Sequence, residues 1–87
     1  MASYELVFKK SVAKDLRAFP KRDVKRILER IRALADDPRP PGCEKVSGSE
    51  RYRVRQGAYR IVYEIEDARL VVLIVKIGHR GDIYWVH

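Results

Sequence analysis

The stretch RYRVRQGAYRIVY carries four arginines: Arg51, Arg53, Arg55 and Arg60. Among them stand Tyr52, Val54, Tyr59, Ile61 and Tyr63, residues that favour half-buried strands. A guanidinium is planar, permanently charged and able to give paired donors to one phosphate. Several on one surface can grip a phosphodiester and stabilise charge that grows on it. Further along, IGHRGDIYWVH brings His79, Arg80, Tyr84, Trp85 and His87 close in sequence. Aromatic rings among cations suit single-stranded nucleic acid, whose bases stack while its phosphates pair. For Tyr84 and Trp85 the alternative is packing in the core or at an edge. For His79 it is a hydrogen bond to nearby backbone.

Other chemistries find little support. The chain has no Gly-x-Gly-x-x-Gly, P-loop, His-Glu-x-x-His or zinc pattern. Ser3, Ser11, Ser47 and Ser49 have no histidine at obvious triad positions. Cys43 is the one cysteine, so an internal disulfide is excluded, and its loop setting predicts an inert thiol. With two histidines in all, neither a metal site nor a cofactor is expected. Nineteen Lys and Arg against twelve Asp and Glu leave a net charge of +7. That balance favours a polyanionic partner: nucleic acid, an acidic protein or an anionic membrane. The longest apolar run, Leu70 to Val75, is strand-length and far short of the ~20 residues that span a bilayer. The opening MASYELVFKK lacks the apolar stretch of a secretory signal, so the expected location is cytoplasmic, with no membrane partner.

The elements that must position these residues follow from periodicity. The 87 residues fit one domain, 1–87. Ser3 to Lys10 reads as a first strand. A short helix follows over Ser11 to Phe19, with Ser11 as its cap and Val12, Leu16 and Phe19 on one side. Pro20 suits the first turn of a second helix, in which Val24, Ile27, Leu28, Ile31 and Leu34 form an apolar stripe. Its outer face is cationic, with Arg22, Lys25, Arg26, Arg30 and Arg32 around Glu29. Asp36-Asp37-Pro38 stops it, because proline disfavours helical geometry in the preceding residue. Asp37 to Glu50 reads as loop. Three strands come next: Arg51 to Gln56, Tyr59 to Glu66 and Leu70 to Ile77, the last ended by Gly78 and apolar enough to lie centrally. GDIYWVH is a candidate short edge strand. The order β-α-α-β-β-β predicts an α+β fold, with two helices on one face of a small antiparallel sheet that is mixed at its N-terminal strand.

Strand side chains alternate between faces. With Tyr52, Val54, Tyr59, Ile61, Tyr63 and Ile65 towards the helices, Arg53, Arg55, Arg60, Val62 and Glu64 point away. Three guanidiniums would then share the open face across one hairpin. A one-residue slip would bury them, so the register is strongly specified. Opposed like charges cost a few tenths to about 1 kcal/mol per pair. Two readings stay open on this ground: a solvated basic face, or an anion clamp.

YELVFKKSVAKDL, LADDPRP, EKVSGSERYRVRQGAYRIVYEI and VVLIVKIGHRGDIY together carry a family likeness. The chain resembles the RelE-type toxins of prokaryotic toxin–antitoxin systems, within the RelE/ParE superfamily, over essentially its whole length. The resemblance implies a ribosome-dependent endoribonuclease that cuts mRNA in the A site without a metal, and a cognate acidic antitoxin. Ribosome and mRNA would be its other partners. By the same resemblance, Arg53 and Arg55 match the basic pair that grips the RNA backbone and poises the 2′-OH. Arg60 matches the arginine near the scissile phosphate, and Arg80 the basic residue after the last long strand. Tyr84 matches the tyrosine that stacks on a base or aids proton transfer. Lys45 matches a recurring basic position of weaker role; Arg51 and His79 complete the expected RNA contacts. The pattern departs from the family where Arg53 and Arg55 replace the lysines of some members, since arginine hardly titrates and makes a poor base. His79, beside Arg80, is a candidate for that proton transfer. The same superfamily leaves two other functions open: a ParE-like inhibitor of DNA gyrase, and a basic binding module without catalysis.

Overall fold

The computed structural model describes residues 3–79. Strand β1 (Glu5–Phe8) leads into helix α1 (Lys10–Ala18) and helix α2 (Lys21–Asp36). Then come β2 (Glu44–Lys45), β3 (Arg51–Gln56), β4 (Tyr59–Glu66) and β5 (Val71–His79). The five strands form one mixed sheet in the order β1-β5-β4-β3-β2. β1 runs parallel to β5, and the other pairings are antiparallel. This is the expected α+β arrangement. The apolar third strand of the sequence lies inside the sheet as β5, between β1 and β4.

The core is where periodicity placed it. Ile27, Ile31 and Leu34 recur along one face of α2 and are fully buried, as is Val12 of α1. They meet Val54, Ile61, Tyr63, Val72, Ile74 and Ile77 of the sheet. Burial of a large aliphatic side chain is worth about 1.5–3 kcal/mol, so this single cluster is the main source of stability.

Several expectations are corrected. The first strand is shorter than Ser3 to Lys10. α1 starts at Lys10, and Ser11 is not its cap: the Lys9 carbonyl accepts from Val12 and Ala13 N–H at 3.0 and 3.2 Å instead. Pro20 caps α2 from just outside it, its carbonyl accepting from Asp23 and Val24 N–H, both at 3.0 Å. The loop before β3 holds the two-residue strand β2. Gly78 does not end β5, which continues to His79. The suggested C-terminal edge strand, GDIYWVH, lies outside the described residues.

One irregularity positions the open face. The β4–β5 register shifts between Val62 and Tyr63: Val62 faces Lys76, and Tyr63 faces Ile74. Val75 is thereby the extra residue on β5, a bulge. Strict alternation from Val72 and Ile74 would send Lys76 into the core and Ile77 out of it. The bulge resets the phase. Ile77 is buried, and the Lys76 ammonium instead reaches Asp15 of α1 at 3.5 Å. Val75 and Val62 make a separate small apolar cluster with Leu73 on the other side of the sheet.

Candidate nucleic-acid interface

The β3–β4 hairpin is closed by two residues, Gly57 and Ala58, between the paired Gln56 and Tyr59. Gly57 has φ 61°, and Ala58 does not share that sign. Glycine at the first of two central positions, alone with positive φ, is the type II′ arrangement, whose twist suits a tight hairpin. With the loop length set, the register is set. Arg51 faces Glu64, Arg53 faces Val62, and Arg55 faces Arg60.

Arg51, Arg53, Arg55 and Arg60 therefore share the face away from the helices, as the alternation predicts. Their surroundings differ. Arg51 Nε donates to Glu64 Oε2 at 3.0 Å, directly across the strands. Arg53 has a looser partner in Glu44, 3.7 Å away on β2. Neither Arg55 nor Arg60 forms an ion pair among the described residues. Arg60 Nε is shut off from water and has no hydrogen-bond partner among the described residues. Across from Arg60 on β5 stands Gly78, so no side chain crowds it from that strand. Two facing guanidiniums without an acid between them repel by up to about 1 kcal/mol. They are also set to close on one anion from two sides.

Other expected site residues fall elsewhere. Lys45 pairs with Tyr52, which places it on the helix side of the sheet, and its ammonium lies 3.9 Å from Glu50. His79 pairs with Tyr59, also on the helix side, and its ring meets the Tyr59 ring edge-on at 5.7 Å. The alternation that exposes the arginines thus turns both residues away from them. Arg80 and Tyr84 lie outside the described residues, as do Trp85 and His87. Glu44 was missed as the counter-ion of Arg53, because a strand of two residues leaves no alternation to read. Gly78 was missed as the opening beside Arg60, because the bulge that phases β5 has no signal of its own in an apolar run.

Hydrogen bonding shifts the titration of groups around this region. Tyr59 donates to Asp23 Oδ2 at 2.9 Å, which holds its phenol above the ordinary value. At the opposite end of β4, Asp67 accepts both Arg39 guanidinium nitrogens, at 3.0 and 3.3 Å, and the Tyr4 hydroxyl at 2.7 Å. Arg39 and then Tyr4 hold the Asp67 carboxyl below its ordinary value. No group of three or more His, Cys, Asp or Glu side chains comes together among the described residues. The exposed arginine face can bind and orient a phosphodiester. A guanidinium offers donors and no acceptor, so this face suits holding an anion.

Known proteins share this fold. Residues 6–84 match the family model described as the ParE toxin of the type II toxin–antitoxin system parDE. The chain is 33% identical to the putative toxin RelE1 of Methanocaldococcus jannaschii over 79 residues, 86% of this chain and 88% of that one. It is 29% identical to toxin RelG of Mycobacterium tuberculosis, over 93% of this chain and 95% of that protein. The crystal structure of the archaeal RelE–RelB complex from Pyrococcus horikoshii contains a chain that superposes with a TM-score of 0.82 at 31% identity. That match covers 92% of this chain and 98% of the other. Fold, length and sequence agree, and the chain belongs to the RelE-type toxins of the RelE/ParE superfamily.

Proposed function

We propose that this toxin is a ribosome-dependent endoribonuclease that cuts mRNA in the A site and so halts translation in the cytoplasm. The observation that carries the reading is the facing pair Arg55 and Arg60, without an ion-pair partner among the described residues. In the reaction, the RNA 2′-oxygen attacks the adjacent 3′ phosphorus and loses its proton. The bond to the 5′-oxygen of the next nucleotide breaks, and that oxygen gains a proton. A 2′,3′-cyclic phosphate and a 5′-hydroxyl result. Negative charge grows on the non-bridging oxygens in the transition state, where fixed guanidiniums act most strongly. Arg53, beside them on β3, holds the backbone. Arginine does not move protons readily, so rate depends on geometry, and a ribosome holding the strand in line would supply it. His79 is turned from this face, which weakens its case for proton transfer; Tyr84 and Arg80 keep their assigned roles in the proposal.

The natural counterpart is an acidic antitoxin that brings carboxylates to Arg55 and Arg60 and neutralises them when the toxin is idle. RelE–RelB complexes among the solved relatives support such a partner. A second reading, inhibition of DNA gyrase, draws on the ParE name of the matching family model. One experiment separates them. Primer extension on cellular mRNA after expression should show codon-phased breaks. Arg60→Ala should reduce their rate about 10²–10³-fold, the usual effect of removing one transition-state donor. Co-expressed antitoxin should abolish them. Intact mRNA with trapped gyrase would establish the second reading instead.

A further inference from the structure

The hairpin tip has a second side. Arg60 and Tyr59 are neighbours in sequence, one on each face of the sheet. Around Tyr59 lies a cleft of about 180 Å³ that also takes in Asp23, Arg26, Gln56 and His79. It is smaller than the roughly 300–1,000 Å³ of drug-sized ligand pockets, and so suits one flat group. Tyr59 is fixed in place. Its hydroxyl donates to Asp23, and its ring packs on Phe19 at 4.9 Å between centroids. His79 is exposed, and its ring stands at 75° to that of Tyr59. A further hollow of about 180 Å³, lined in part by Phe19 and Lys76, also borders His79. Among the described residues the His79 ring has room beside it. Asp23 uses one carboxylate oxygen for Tyr59, and the other accepts nothing among the described residues.

We propose that this cleft is a base subsite for the nucleotide flanking the phosphate held by Arg55 and Arg60. The base stacks on His79, Arg26 attracts its phosphate, and Asp23 and Gln56 read its edge. Only Gly57 and Ala58 separate the two faces at the tip, and a side chain placed on Gly57 would meet open space. Among the described residues nothing obstructs a strand that leaves the arginine pair and rounds that tip. The free Asp23 oxygen is an acceptor, so it favours bases with an exocyclic amine, adenine or cytosine, over uracil. The inference rests on reading the arginine face as an RNA grip, but not on cleavage.

The test is binding by the full chain of 2′-O-methyl hexamers of A, C or U, which have no free 2′-hydroxyl and cannot be cut. Amide and ring resonances of Gln56, Tyr59 and His79 should shift on titration with the A and C hexamers, together with those of Arg55 and Arg60. His79→Ala should weaken the A and C hexamers roughly five- to hundredfold, the range for losing one base–aromatic stack, and narrow their advantage over U. His79→Phe keeps a stacking ring and should retain the wild-type preference, which separates stacking from a merely structural part for this exposed residue. If the cleft resonances stay still, or His79→Ala binds all three hexamers as the wild type does, the subsite is wrong. Either result leaves the nuclease reading to the mRNA map. An uncut mRNA map with cleft shifts intact would sink the nuclease and keep the subsite.

Discussion

Tyr63 shows how one side chain can do two jobs in so small a core. Its ring is fully buried, and its hydroxyl donates to the Pro38 carbonyl at 2.7 Å, tying β4 to the chain leaving α2. Burial, with Cys43 close by, pushes its phenol far above the ordinary value, so the group stays protonated and able to donate. Tyr63→Phe keeps the packing but leaves a buried carbonyl without its donor. It should cost about 1–3 kcal/mol, read as a lower urea midpoint with an unchanged slope, while the proposed mRNA cleavage by the folded fraction persists. The face of each β3 and β4 arginine was legible because alternation has a period of two and burial of Tyr63 and Ile61 fixes its phase. Lys45 and His79 were not legible. Family likeness gave them a role, but the faces they occupy depend on pairings with Tyr52 and Tyr59 that no local pattern announces.

The strands that carry the arginines were readable to the residue, since Gln56-Gly57-Ala58-Tyr59 is a turn signal between two alternating runs. The strands at the margins were not. β1 is trimmed, β2 is hidden in a proline- and glycine-rich loop, and β5 starts one residue later than expected and runs on to His79. The β4–β5 connection takes in Leu70, which was expected in the strand, and its strain was not foreseen. Leu70 there adopts φ 53°, a left-handed conformation uncommon for leucine, and its carbonyl accepts the Glu5 N–H at 2.7 Å to start the parallel β1 pairing. The conformation is held because it begins that ladder. Asparagine tolerates it better, whereas a β-branched residue does not. Leu70→Asn should therefore stabilise by about 0.5–1 kcal/mol and Leu70→Val destabilise by about 1–2 kcal/mol. Thermal melts followed by circular dichroism would show the order Asn, Leu, Val; the reverse order would refute the strain.

Across the molecule, the polar ties differ between the two ends of the sheet. At the end away from the hairpin tip, Arg39, Asp67, Tyr4 and Tyr52 join four segments. Arg39 pairs with Asp67 at 3.0 Å, donates to the Tyr52 hydroxyl at 3.3 Å, and Tyr4 donates to Asp67. This pairing is exposed and salt-screened, so its weight is modest, but its pH dependence has a definite sign. The Asp67 carboxyl is depressed below its ordinary 3.8. Its contribution is present in full above the unfolded value and fades as pH falls through the folded one. The stability gap between wild type and Asp67→Ala should be constant from neutrality to about pH 5, and shrink below the ordinary 3.8. Denaturant titrations at stepped pH would measure it; a gap that widens in acid would contradict the pairing.

The same asymmetry bears on the proposed grip of an RNA strand. Stapled by Arg39 and Asp67 at one end, the sheet carries at the other a glycine–alanine turn, with two mutually repelling cations on one face and Tyr59 bonded to Asp23 on the other. An arriving phosphate would supply the anion that the Arg55–Arg60 pair lacks among the described residues. Docking should therefore firm up the working end of the molecule and leave the stapled end as it was.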